Sequence, residues 1–248
     1  LGSGDAFQHD GRGSQSIWIE PTVGAPLLVD AGPTAVHAMM RFGERPERLD
    51  RVLFTHHHGD HIAGWPFLLL HLVQGTPRHR PLEVHGPSGI RQRLERLAGA
   101  CFDDALRPTT FDLRYHEWTV ERRAGLSLGD GTLLDLYPMR HHASSTGLRL
   151  QLDGLRVGVS GDTGWCDELE RLTRASDVTV LECTTVRPES ATHLSLQEIR
   201  EWRGRLGAGE LLLVHLTDRV AEELAVDPIP GVTAAYDGLE WSPPPEAG

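Results

Sequence analysis

The sequence predicts an α/β domain of four layers, αββα, with two mixed sheets packed together and helices outside. Three observations lead there. Short apolar, strand-like segments fall into two groups along the chain. Segments with apolar residues three and four apart lie between and after them, the spacing of helices that cover a sheet. Asp153-Gly154 separates two apolar runs, the turn chemistry of a hairpin, so at least one sheet contains antiparallel pairs.

The first strand group is 16–19, 27–29 and 52–55; the second is 133–138, 147–152, 156–160, 178–181 and 211–214. Helical spacing covers 35–42, 64–72, 88–98, 167–175 and 196–206. Ser195, with Glu198 three residues on, makes a capping box that starts the last of these. Residues 1–241 are expected to form one domain, and the Pro-rich run 242–248 a flexible tail.

Composition narrows the function. The 248 residues are 39% hydrophobic and 24% charged, enough apolar material for a sizeable core. No apolar run approaches the roughly 18–20 residues that span a bilayer, so no membrane partner is expected. The formal net charge of −11 argues against a general nucleic-acid binder, although all 24 basic residues are Arg and local basic patches remain open. Cys101, Cys166 and Cys183 are odd in number and match no zinc knuckle, which points to free thiols and a reducing cytoplasm. Leu1-Gly-Ser-Gly reads as a strand already ending, so a preceding segment, a leader included, is left open. Histidine is the unusual residue, with 14 copies.

The central feature is Val52-Leu-Phe-Thr-His56-His57-His58-Gly59-Asp60-His61, a strand running into a histidine-rich turn. In extended chain, residues two apart point the same way, so His56 and His58 can meet one cation. His57 points oppositely and reads as a packing or supporting residue. Asp60 and His61 fall at the turn into a helix and can face a second cation. Imidazole nitrogen with carboxylate oxygen suits zinc, and manganese or iron with less preference.

Thr-His-x-His-x-Asp-His after a strand resembles the signature of the metallo-β-lactamase superfamily. Leu1-Gly-Ser-Gly-Asp5 with Gly11-Arg12, Leu28-Val-Asp-Ala-Gly32 and His85-Gly86-Pro87 resemble its ribonuclease Z-like members, so the likeness runs from the first residue to about His215. By this resemblance, Met139-Arg-His141-His142, followed by Gly147 and a strand, is the third motif and favours His141 over His142 as a ligand. Ser160-Gly161-Asp162-Thr163 matches the element whose Asp bridges two metals, and His215 matches the final strand-end histidine. The implied pair of Zn²⁺ ions, with Mn²⁺ or Fe²⁺ as substitutes, would be held by His56, His58, His141 and Asp162 and by Asp60, His61, Asp162 and His215. Asp30 reads equally as a turn residue before Gly32 and as a hydrogen-bond acceptor for a ligand histidine.

Two cations lower the pKa of a shared water, orient it and offset developing charge. Glu182-Cys-Thr with His193-Leu-Ser195 resembles the phosphodiesterase element in which the histidine stands by the scissile phosphate, so His193 is expected to be catalytic, with Asp60 sharing proton handling. His141 and Asp162 are only 21 residues apart, which leaves no room there for a tRNA-gripping arm. The expected activity is therefore a dinuclear zinc phosphodiesterase on a small or flexible phosphodiester: a cyclic phosphate, a nucleotide or an RNA end. The alternatives are a carboxyl-ester, lactone or thioester hydrolase, a tRNA 3′-processing endoribonuclease and, last, a non-catalytic metal-binding sensor. Stable tRNA binding is not expected; a homodimer is compatible with the resemblance. Residues 102–123, Arg-rich and carrying Trp118, read as a specificity insert or as surface cover.

Overall fold

The structure is a computed structural model describing residues 1–244 apart from 77, 105, 107–108, 110 and 208. Among these, twelve strands form two sheets. The five-stranded sheet has the order β1 (Ile17–Ile19), β2 (Leu27–Val29), β3 (Arg51–Leu53), β4 (Leu82–Pro87), β5 (Leu113–Trp118); only β1–β2 is antiparallel. The other contains β6 (Arg123–Gly129), β7 (Thr132–Pro138), β8 (Thr146–Leu152) and β9 (Leu155–Val159) as antiparallel neighbours. Beyond β9, β10 (Val178–Glu182), β11 (Glu210–Val214) and β12 (Val232–Ala234) follow in parallel. Both sheets are mixed, as expected.

Three apolar clusters define the four layers. Leu28, Val52 and Val84 on one face of the first sheet pack against α1 (Ala35–Phe42), α2 (Gly59–Ile62), α3 (Trp65–Leu70) and α4 (Ile90–Phe102) through Met39, Ile62, Trp65 and Leu94. Leu27, Val29 and Leu53, pointing the opposite way, meet Leu134, Leu136, Leu148 and Val180 between the sheets. Leu181, Leu211 and Leu213 turn outward to Leu172, Ile199 and Val220 of α5 (Asp167–Arg174), α6 (Leu196–Trp202) and α7 (Asp218–Val226). The two-residue period of a strand thus feeds two cores from one segment. Each such buried side chain contributes roughly 1.5–3 kcal/mol. The Ser195–Glu198 capping box is present at α6.

The segments the sequence did not reveal are mostly sheet margins. β5, β6 and β12 are edge strands, and the first two carry the charged residues typical of edges. β4 ends in Gly86-Pro87, which disguises a strand as a turn. β5 makes part of the 102–123 segment a sheet margin; four of its residues lie outside the described ones. Of the 242–248 tail, 242–244 is irregular and 245–248 lies outside the described residues.

Candidate metal centre

β7, β9, β10 and β11 run the same way, so the loops beyond their carboxyl ends share one rim of the molecule. These loops supply His141, Asp162, Glu182 at the last position of β10, and His215. The loop after β3 meets them there: the Thr146 amide donates to the Thr55 carbonyl at 3.0 Å. His58 is still extended (φ −70°, ψ 153°), so His56 and His58 project together, while Asp60 and His61 lie in α2. Gly161, before Asp162, has φ +58°, and a Cβ there would stand 2.8 Å from the Thr55 Cβ, so only glycine lets the two loops close. His215 itself adopts φ 58°, a strained backbone for a non-glycine residue, of the kind that gathers at functional sites.

Two donor groups result. His56, His58, His141 and Asp162 have ligand atoms within 4.8 Å of one another, as do Asp60, His61, Asp162 and His215. The Asp162 Oδ2 lies 3.8 Å from His56 Nε2, 3.7 Å from His141 Nε2 and 3.4 Å from His215 Nε2; its Oδ1 lies 3.2 Å from His61 Nε2. Asp60 Oδ2 is 3.2 Å from His61 Nε2 and 3.4 Å from His215 Nε2. Every residue expected from the sequence to face the cations is in one of these groups. His142 turns to Ser144 Oγ at 2.8 Å, and His57 reaches the Pro87 carbonyl.

The rings are oriented by their outer nitrogens. His61 Nδ1 donates to Asp30 Oδ2 at 2.7 Å, His141 Nδ1 to the Thr192 carbonyl at 3.1 Å, and His215 Nδ1 to Thr184 Oγ1 at 3.0 Å. Thr55 Oγ1 donates to Asp30 at 2.8 Å and receives His56 Nδ1 at 3.1 Å. Four imidazoles thereby present Nε2 inward, with the tautomer set by an oxygen behind it. His58 instead presents Nδ1, 2.9 Å from His141 Nε2. Asp30 is both things the sequence allowed, a left-handed turn residue (φ 60°) and the buried acceptor for His61. Thr55 and Thr184 were not anticipated, because nothing local distinguishes an orienting threonine from an ordinary one.

The donors fit divalent cations. His56 Nε2, His61 Nε2 and Asp162 Oδ1 are buried without a hydrogen-bond partner, a costly condition that bound cations would relieve. Burial alone would raise Asp162, but His215, His61 and His56 outweigh it and hold the carboxyl well below the carboxylate range. Burial, with His61 close by, pushes His56 well down and keeps its lone pair free. Against the same burial, Asp162 and Asp60 draw His215 up to about 9.

His193 stands beside this group. Its ring centroid is 4.6 Å from that of His141 and 5.6 Å from that of His215, and Nδ1 lies 2.9 Å from Glu182 Oε1. Glu182 is fully buried and also accepts from the amides of Thr163 (2.8 Å) and Leu194 (3.2 Å) and from Thr184 Oγ1 (3.1 Å). Burial works against a charged His193, but the bond to Glu182 prevails and the ring is held above its ordinary value.

The four-layer fold thus carries a histidine- and aspartate-lined rim whose donor groups are spaced to hold metal ions. The chain belongs to the metallo-β-lactamase superfamily: the family model for the β-lactamase superfamily domain matches residues 26–216. It is 26% identical to ribonuclease BN of Escherichia coli O1:K1, over 80% of this chain and 81% of that protein. Human tRNase Z, short form, shares the fold with a TM-score of 0.77 at 20% identity, covering 98% of this chain and 97% of the other. A diphosphatase from the PhnP family gives a TM-score of 0.71 at 21% identity, with 97% and 96% covered. Among the described residues no helix is long and apolar enough to cross a membrane.

Proposed function

We propose that the chain is a dinuclear, zinc-dependent phosphodiesterase acting on a small or flexible phosphodiester. His56, His58, His141 and Asp162 would hold one cation, and Asp60, His61, Asp162 and His215 the other, with Asp162 between them. The cations would supply a water of lowered pKa and Lewis acidity toward the phosphoryl oxygens. The chain's own residues do the rest. Asp30, Thr55, Thr184 and the Thr192 carbonyl lock the rings. His193, with Nδ1 committed to Glu182, has Nε2 left for a substrate and a proton to give an alkoxide leaving group.

The single observation that carries this reading is the Glu182–His193 pair. A thioester releases a thiolate that leaves without such an acid, whereas the departing alkoxide of an alkyl phosphodiester needs one. The small substrate is supported by the chain between His141 and Asp162, which β8, β9 and their turn largely fill. The similarly folded diphosphatase from the PhnP family supports phosphate chemistry at this rim. The test is turnover of bis(p-nitrophenyl) phosphate, an alkyl phosphodiester, a lactone and a thioester by wild type and His193→Ala. We expect turnover of the alkyl phosphodiester to fall about 10²–10⁴-fold in the variant with its metal content retained. A variant as active as wild type, or a wild type preferring the lactone or thioester, would refute the proposal.

A further inference from the structure

Outside the centre above, one more set of donors converges among the described residues. Glu83 and His85 are two apart on β4 and share a face, and His116 on β5 is the register partner of His85. Leu53, on the same face beside His85, belongs to the apolar layer between the sheets. The His85 side chain is 7% exposed, and its Nε2 is buried with no hydrogen-bond partner. Glu83 Oε2 lies 3.6 Å from that nitrogen and 4.0 Å from His116 Nε2. The two rings stack at 4.6 Å with 14° between planes, much as His61 and His215 stack at 16° in the other centre.

Burial, with His116 and Arg51 nearby, pushes His85 down to about 3, so the ring is neutral at physiological pH with a lone pair to offer. The adverse charge is Arg51, the register partner of Glu83, and it is engaged by Asp130 Oδ2 at 2.8 Å. Arg114, the register partner of Glu83 on the other side, pairs with Asp112.

We propose that Glu83, His85 and His116 form a separate site for a borderline divalent cation such as zinc, completed by water, that clasps the edge strand β5 to β4. Two imidazoles and a carboxylate with an open position are a donor set zinc accepts, at bond lengths of about 2.0–2.2 Å. Tetrahedral bonding of that length puts donor atoms about 3.3 Å apart, so Glu83 and His85 already stand near the required separation. His116, half exposed on the sheet margin, has room to turn inward. The cation would satisfy the one buried nitrogen of His85 that the protein leaves unpaired.

The test is zinc content of the full chain after equilibration in buffered zinc, for wild type, His116→Ala and Glu83→Gln. His116 is surface-lying and Glu83→Gln keeps its shape, so neither should disturb the fold, which circular dichroism checks. Each variant should bind about one zinc fewer per chain while bis(p-nitrophenyl) phosphate turnover is unchanged. In an Asp162→Ala background, zinc should still raise the melting temperature, and adding His116→Ala should reduce that rise. Equal zinc content in wild type and both variants would overturn the proposal, as would a zinc-induced rise in the Asp162→Ala protein that His116→Ala leaves unchanged. Because the readouts are stoichiometry and melting, loss of this site would leave the phosphodiesterase proposal standing, and the converse.

Discussion

Glu182→Gln isolates the pair on which the proposed chemistry rests, at nearly constant volume. The buried carboxylate accepts four hydrogen bonds: Thr163 N and His193 Nδ1 on Oε1, Leu194 N and Thr184 Oγ1 on Oε2. An amide has one acceptor oxygen, so whichever way it is turned, a backbone N–H faces an NH₂. If the oxygen stays with Thr163 and His193, the Leu194 amide is orphaned, costing about 1–3 kcal/mol, and the surviving bonds lose their ionic character. A total of about 2–3 kcal/mol corresponds to a fall in melting temperature of roughly 5–10 °C for a chain of this size. Catalysis should suffer separately, since a neutral partner no longer holds the proton on His193. Turnover should drop about 10²-fold for an alkyl leaving group, which needs the acid, and far less for p-nitrophenolate, which does not. The assays are urea or thermal melts and a leaving-group series. A variant as stable as wild type would deny the count of buried acceptors, and one that slows all leaving groups equally would deny the acid role of His193.

Asp162→Ala should release one or both cations, and the zinc-dependent part of the stability, about 2.7 kcal/mol when zinc is at 100 times its Kd, should shrink in melts with and without chelator. Two cations retained per chain would count against its place between them. Asp30→Asn should weaken zinc binding about 10–100-fold in competition with a chelating dye, because the amide orients His61 poorly; undiminished affinity would show Asp30 to be only a turn residue. Asp177, bonded first by the Arg156 guanidinium and also by its amide, is held below its ordinary value of 3.8. Its contribution is present above that value and lost as pH falls through the lower folded one, so Arg156→Ala should raise the Asp177 midpoint in an NMR titration and steepen acid unfolding less than wild type.

What the sequence discloses depends on how many residues a feature spans. His56, His58, Asp60 and His61 are legible because a strand end and a helix start fix their directions within six positions, and the two-residue and helical periods do the geometry. Asp162 and His215 are legible only by likeness, since nothing in Gly-Asp-Thr or Val-His-Leu says that they lie 3.4 Å apart across two loops. The double-sided strands were visible because both of their faces are apolar; β5 and β6 were hidden because edges carry charge to avoid pairing with other chains.

The same logic explains why substrate preference is the least legible feature. Preference would rest on a proton held at His193, and that proton depends on Glu182 at the end of β10, on Leu194 and Thr163 amides from two other loops, and on Thr184, which simultaneously serves His215. Thr184 therefore links the His215 ring to the carboxylate that holds His193: its hydroxyl has one proton, and giving it to Glu182 obliges it to accept from His215 Nδ1, while Nε2 of His215 faces Asp60 and Asp162. A composition or a motif records that a threonine is present; only the fold decides which way its proton points.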